Sequence, residues 1–240
     1  MATVGDTVVL PPMVEGQAES WKALLEVAPS MGHDWILVGG QMVLLHCANR
    51  KHTGMRPTTD VDIVVDIRSP EQSLTRVNQL LIGAGFSQDQ PGPEGLAHRY
   101  RRGSAVFDVL VPDHMGGRSD RRIGVGRTVE APGTRQALGR AEVFQVETAG
   151  HAGLVRCPSL VGAVIGKVAA VLRIDSATPN TRQKHLDDVD VLATLLGADD
   201  RRLAALSQGE RQMFERIVFE HGSTLSPLAT RSIELTLEMR

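Results

Sequence analysis

Aromatic residues are scarce in this sequence: five Phe, two Trp and one Tyr. Base stacking needs such rings as platforms, so stacking cannot dominate any nucleic-acid recognition by this chain. Cysteine is rarer still. Cys47 and Cys157 match neither a disulfide framework nor a metal motif, and their apolar neighbours mark them as plain core thiols. No apolar run approaches the roughly 18 residues that a membrane helix requires. The opening "MATVGDTVVLPPM" lacks the basic and apolar regions of a signal peptide. A cytoplasmic protein without membrane contact is expected. An excess of one charge is missing too: the formal net charge is −2, which offers no global attraction to a polyanion.

What is present is an ordinary globular composition, 42% hydrophobic and 22% charged, enough to bury the core of one large domain or two small ones. Arginine is concentrated in "HRYRR" (98–102) and "GGRSDRRIGVGR" (116–127), runs that read as solvated loops or as phosphate contacts. "AESWKALLEVA" sets Trp21, Leu24, Leu25 and Ala28 at helical spacing. "WILVGG" reads as a short buried strand ending in glycines, and "QMVLLHCANR" as a helix. Ser69, Pro70 and Gln72 supply a capped helix start, ahead of Leu74, Val77 and Leu81 on one helical side. "AHRYRRGSAVFDVLVPD" reads as a hairpin turning at Gly103–Ser104, with Phe107, Val109 and Val111 opposite Asp108. A Gly- and Arg-rich stretch with one strand at "AEVFQVE" follows. Beyond Pro158 the pattern is helical: "SLVGAVIGKVAAVLRI", "RQKHLDDVDVLATLL", "RRLAALS" and "GERQMFERIVFEHG". The reading is an α/β (α+β) fold: a mixed sheet flanked by helices over 1–154, then a helical region over 155–240.

The chemistry concentrates in "RPTTDVDIVVDI". Strand alternation puts Val61, Ile63, Val65 and Ile67 on one face, and Thr58, Asp60, Asp62, Val64 and Asp66 on the other. Aspartate is depleted in strands, and two on one face repel each other. A cation between them removes that cost, and Mg²⁺ suits carboxylates and substrate phosphates best. One strand earlier, Gly39-Gly40 opens a helix, where a phosphate can approach the backbone and meet unpaired N–H groups. Asp108 adds a third carboxylate on a later strand. Phosphate cradle, paired ligands and third acid together suit metal-assisted phosphoryl or nucleotidyl transfer.

"VGGQMVLLHCANRKHTGMRPTTDVDIVV" resembles the signature of the nucleotidyltransferase superfamily. Its R-x-T-x-D-x-D form, Arg56-Thr58-Asp60-Asp62, is most similar to the AbiEii-like and MenT-like toxins of bacterial toxin–antitoxin systems. The resemblance runs from about Ile36 to Leu196. It implies a site lysine at Lys167 and a functional acid at Asp188, beside Asp187 and Asp190, and it departs from the family pattern at His185. It further implies Asp60, Asp62 and Asp108 as metal ligands for Mg²⁺, with Mn²⁺ as an alternative. Gly39, Gly40, Gln41, Arg56, Thr58 and Lys167 would then bind the NTP. The expected acceptor is the 3′ end of tRNA or another RNA, and a cognate antitoxin is an expected partner. Three rivals share parts of this pattern: a small-molecule (antibiotic-type) nucleotidyltransferase, a catalytically silent nucleotide-binding protein, and an α/β protein with purely surface acids. An acidic cleft favours the first of these; a basic channel favours RNA.

Overall fold

The computed structural model describes residues 5–53, 57–68, 74–114, 120–173 and 179–239. The chain opens with β1 (Val8–Val9) and α1 (Glu15–Val27), then β2 (Trp35–Val38) passes directly into α2 (Gly39–Asn49). Next come β3 (Asp60–Val65), α3 (Leu74–Gly83), β4 (Ser87–Gln88), β5 (Arg99–Arg102) and β6 (Ala105–Pro112). Short strands β7 (Arg122–Ile123), β8 (Gly126–Arg127) and β9 (Glu130–Ala131) lead to α4 (Thr134–Gly139) and the hairpin of β10 (Ala141–Thr148) and β11 (His151–Pro158). Helices α5 (Leu160–Arg173), α6 (Pro179–Thr194), α7 (Ala198–Arg202), α8 (Gln208–His221) and α9 (Pro227–Glu238) complete the described chain.

The main sheet has the order β2–β3–β6–β5–β4, with β9 beside β6. β3 and β6 are parallel, while β2 and β5 run against them. A smaller sheet joins β1, β10 and β11. On one face of the main sheet Val61, Ile63, Val65, Phe107, Val109 and Val111 are buried without exposed surface. Each such side chain contributes about 1.5–3 kcal/mol to the folded state. α1 lies across β3 and β6 on this face, and a one-residue slip would expose the whole set, so alternation pins the register of the aspartates.

The opposite face departs from the simple wet face that alternation predicts. Val64 is fully buried and packs with Ile36, Val38 and Ala137. α4 therefore covers the Val64 end and leaves the Asp60–Asp62 end open. Asp113 holds α4 in place, accepting from the N–H groups of Gly133 at 2.9 Å and Arg135 at 3.2 Å while pairing with Arg173 of α5.

The hairpin turns at Gly103–Ser104 as expected. "RRLAALS" does not form a continuous helix: α7 ends at Arg202, and Ala205 takes a left-handed φ of 40°. There the carbonyls of Ala204 and Ala205 turn to accept from the Arg140 guanidinium, at 2.6 and 3.2 Å, rather than continuing a helix. β11 was not anticipated, because its glycine-containing start hides the alternation that buries Val155 and Cys157. The expected cap at Ser69, Pro70 and Gln72 lies outside the described residues.

Candidate active site

Sheet register assembles the acids. Val38 of β2 pairs with Asp62 of β3, Asp62 with Asp108 of β6, and Asp108 with Arg99 of β5. Four strands thus place one row of side chains across the open face, and Asp60 lies two residues from Asp62 on that face. Oxygens of Asp60, Asp62 and Asp108 all come within 4.8 Å of one another. Like charges directly opposite destabilise a sheet, and Asp62 shows it. Burial first, then the charges of Asp108 and Asp60, push its carboxyl up to about 7. The donor set is three carboxylates, the chemistry that hard divalent cations take.

Two neighbours aim these acids. The Thr58 hydroxyl donates to Asp60 Oδ1 at 2.7 Å, so Thr58 stands behind a carboxylate and orients it. Arg99 donates through Nε and Nη2 to the two oxygens of Asp108, at 2.8 and 2.6 Å.

Glycine is required where β2 becomes α2. Gly39 has a φ of +69°, and a Cβ built there would lie 1.7 Å from Asp62 Oδ2. A Cβ on Gly40 would lie 2.6 Å from the Thr58 Cγ2. The helix start therefore passes tightly behind the acids. No side chain caps it, so its first N–H groups and its dipole favour an anion beside Asp62.

Gln41 behaves differently from the expected phosphate contact. Its side chain is fully buried. Its Oε1 accepts from Trp21 at 2.7 Å and Gln17 at 3.2 Å, while its Nε2 donates to the Thr58 carbonyl at 2.8 Å. The amide ties α1 and α2 to the segment entering β3, leaving only its backbone to face a ligand.

Lys167 lies in the apolar α5, only 5% exposed, and its ammonium donates to Asp188 Oδ2 of α6 at 2.6 Å. Of the three neighbouring acids, Asp188 is the one that meets this lysine. Asp187 accepts from Gln183 at 2.8 Å, and Asp190 accepts from the Ser226 N–H at 2.5 Å at the start of α9. A cavity of about 340 Å³ joins the two halves of the site: Gly39 and Asp62 line one wall, Lys167 and Gly166 another, and Ala137 of α4 a third. His185 also lines it. Arg56 lies outside the described residues.

Arg99 was not singled out by sequence reasoning, although the signal was present. A hairpin turning at Gly103–Ser104 sets Arg99 opposite Asp108, with Tyr100 inward and Arg101 on the same outward face as Arg99. Among the described residues the other arginines of these runs are also engaged: Arg101 with Asp89, Arg102 with Glu26, Arg121 with Glu130, Arg122 with Asp120, and Arg127 with the Glu94 carbonyl. Among the described residues no helix is long and apolar enough to cross a membrane.

A strand–glycine–helix junction set against an Asp-x-Asp strand is the arrangement of a nucleotidyltransferase. The family model described as "Nucleotidyl transferase AbiEii toxin, Type IV TA system" matches residues 22–238, and the chain belongs to this family. The match reaches beyond the Ile36–Leu196 span of the motif resemblance and takes in the C-terminal half of α1 from residue 22 as well as α7, α8 and α9. Family membership implies an NTP substrate and a cognate antitoxin. Comparison with curated proteins and with solved structures gives no significant match.

Proposed function

We propose that this protein transfers a nucleoside monophosphate from an NTP to an RNA acceptor, the 3′ end of tRNA foremost, with a divalent metal as cofactor. The supporting observation is that Gly39, Asp62 and Lys167, distant in sequence, line one cavity of about 340 Å³, within the range of small-molecule sites. Asp60, Asp62 and Asp108 would hold Mg²⁺, or Mn²⁺ in its place. Bound there, the ion supplies charge neutralisation at the attacking and leaving oxygens.

The chain's own groups do the rest. The first turn of α2 receives phosphate oxygens through the N–H groups of Gly39 and Gly40. Lys167, held by Asp188, directs its ammonium to the cavity wall and balances triphosphate charge. The apolar walls from α4 and α5 exclude water from the nucleoside. The acceptor hydroxyl attacks the α-phosphorus, a new O–P bond forms, and the bond to pyrophosphate breaks. Asp108 would either ligate the metal or take the hydroxyl proton.

Two features favour RNA as the acceptor. The toxin family is one. The other is Arg99 and Arg101 on one face of β5, which continue the row of acids outward. Partly exposed ion pairs such as Arg101–Asp89 contribute little, about 0–1 kcal/mol, and exchange readily for phosphates. The test is incubation of the purified protein with Mg²⁺, total tRNA and each NTP labelled at the α-phosphate. Label should enter RNA with wild type and not with Asp60→Ala. Labelled small molecules or protein in place of RNA would overturn the acceptor assignment.

A further inference from the structure

Arg99 forms the ion pairs of the carboxylate cluster among the described residues, and it uses the oxygens that a metal would use. Its Nε and Nη2 occupy both oxygens of Asp108, and the same Nη2 reaches Asp60 Oδ2 at 3.4 Å. One guanidinium therefore spans two of the three clustered acids. A divalent ion seated on those oxygens would face a full positive charge at contact range, so the two cations compete for one place.

Resting on the metal-dependent reading above, we propose that Arg99 is the resident counter-cation of this cluster. A divalent ion enters by displacing its guanidinium from Asp108 and Asp60. Three carboxylates within 4.8 Å are costly without a counter-charge, and Arg99 lowers that cost in the metal-free protein. The pairing is built into the hairpin, because Arg99 and Asp108 face each other in register. The backbone there is anchored by Tyr100, fully buried with its hydroxyl donating to Asn78 at 2.8 Å. The Arg99 side chain itself is 36% exposed, against 8% for Asp108. The acid therefore stays in place while the guanidinium can swing to the rim, where it faces incoming phosphate. A planar fork is needed to hold both Asp108 oxygens, and lysine has none.

The experiment is a titration of the full chain with Mn²⁺ alone at low ionic strength. Free ion is read by electron paramagnetic resonance for wild type, Arg99→Ala, Arg99→Lys and Asp62→Asn. Arg99→Ala should bind Mn²⁺ about tenfold tighter than wild type, the order expected from removing a partly exposed ion pair and a like charge. Arg99→Lys should fall between them, and Asp62→Asn should lose the binding. Arg99→Ala binding equal to or weaker than wild type, with Asp62→Asn still abolishing it, overturns the counter-cation and leaves the metal site standing. Mn²⁺ binding by none of the proteins, or binding indifferent to Asp62→Asn, overturns the metal site and the counter-cation together. If Arg99→Ala does not fold, Arg99→Lys decides: tighter than wild type supports displacement, equal or weaker refutes it.

Discussion

Replacing Asp62 by Asn should make the metal-free protein more stable while removing its activity. The Asp62 carboxyl is raised from an ordinary 3.8 up to about 7. Between those values the folded protein keeps a proton that the unfolded chain has released. Stability from this group is therefore complete below about pH 4 and lost as the pH rises through 7. Above that point the fold carries an ionised Asp62 at a cost of about 4 kcal/mol if nothing screens it. The side chain is only partly buried, so roughly half, about 2 kcal/mol, is the realistic magnitude. The Asn variant has the same shape and no charge at any pH. In chelator at pH 8 its Tm should exceed wild type by roughly 4–8 °C for a chain of this size. At pH 3 the gain should nearly vanish, since wild-type Asp62 is then neutral in the folded and the unfolded chain alike. Circular-dichroism melts at the two pH values read both. A lower Tm for the variant at pH 8, or an equal gain at both pH values, would rule out a stability cost from ionised Asp62.

Other substitutions separate framework from chemistry. Gln41→Leu strands the polar groups of Trp21, Gln17 and Thr58, and should cost roughly 3 kcal/mol, seen as a lower urea midpoint at unchanged slope. Lys167→Met removes the buried ammonium that donates to Asp188 and should destabilise by about 3–5 kcal/mol. The double variant Lys167→Met/Asp188→Leu should regain most of that loss in the same melt yet transfer no label. Gly39→Ala forces a side chain into a left-handed φ and against Asp62, so transfer should fall steeply, with about 1–3 kcal/mol lost in thermal unfolding.

The aspartates were legible because strand alternation has a period of two. Once Val61, Ile63 and Val65 are inward, Asp60 and Asp62 must share the other face. Covering of Val64 by α4 was not legible, since alternation describes one strand and not what later packs on it. Gln41 follows two glycines at a helix start, and local sequence does not say whether such an amide turns toward ligand or core. Its direction is set by Trp21, on a helix that precedes β2. Lys167 and Asp188 meet only because α5 and α6 pack together; the family resemblance singled out each residue, and the packing supplied their contact. Arg99 was the reverse case. The predicted turn already fixed its partner, but a run of arginines reads as charge before it reads as register.

The most direct test of nucleotidyl transfer uses two labels in one reaction with Mg²⁺ and total tRNA. One NTP sample carries label at the α-phosphate, the other at the γ-phosphate. The α-label should join the acceptor while the γ-label leaves as pyrophosphate, and Asp62→Asn should do neither. Entry of γ-label into the acceptor would show phosphoryl rather than nucleotidyl transfer.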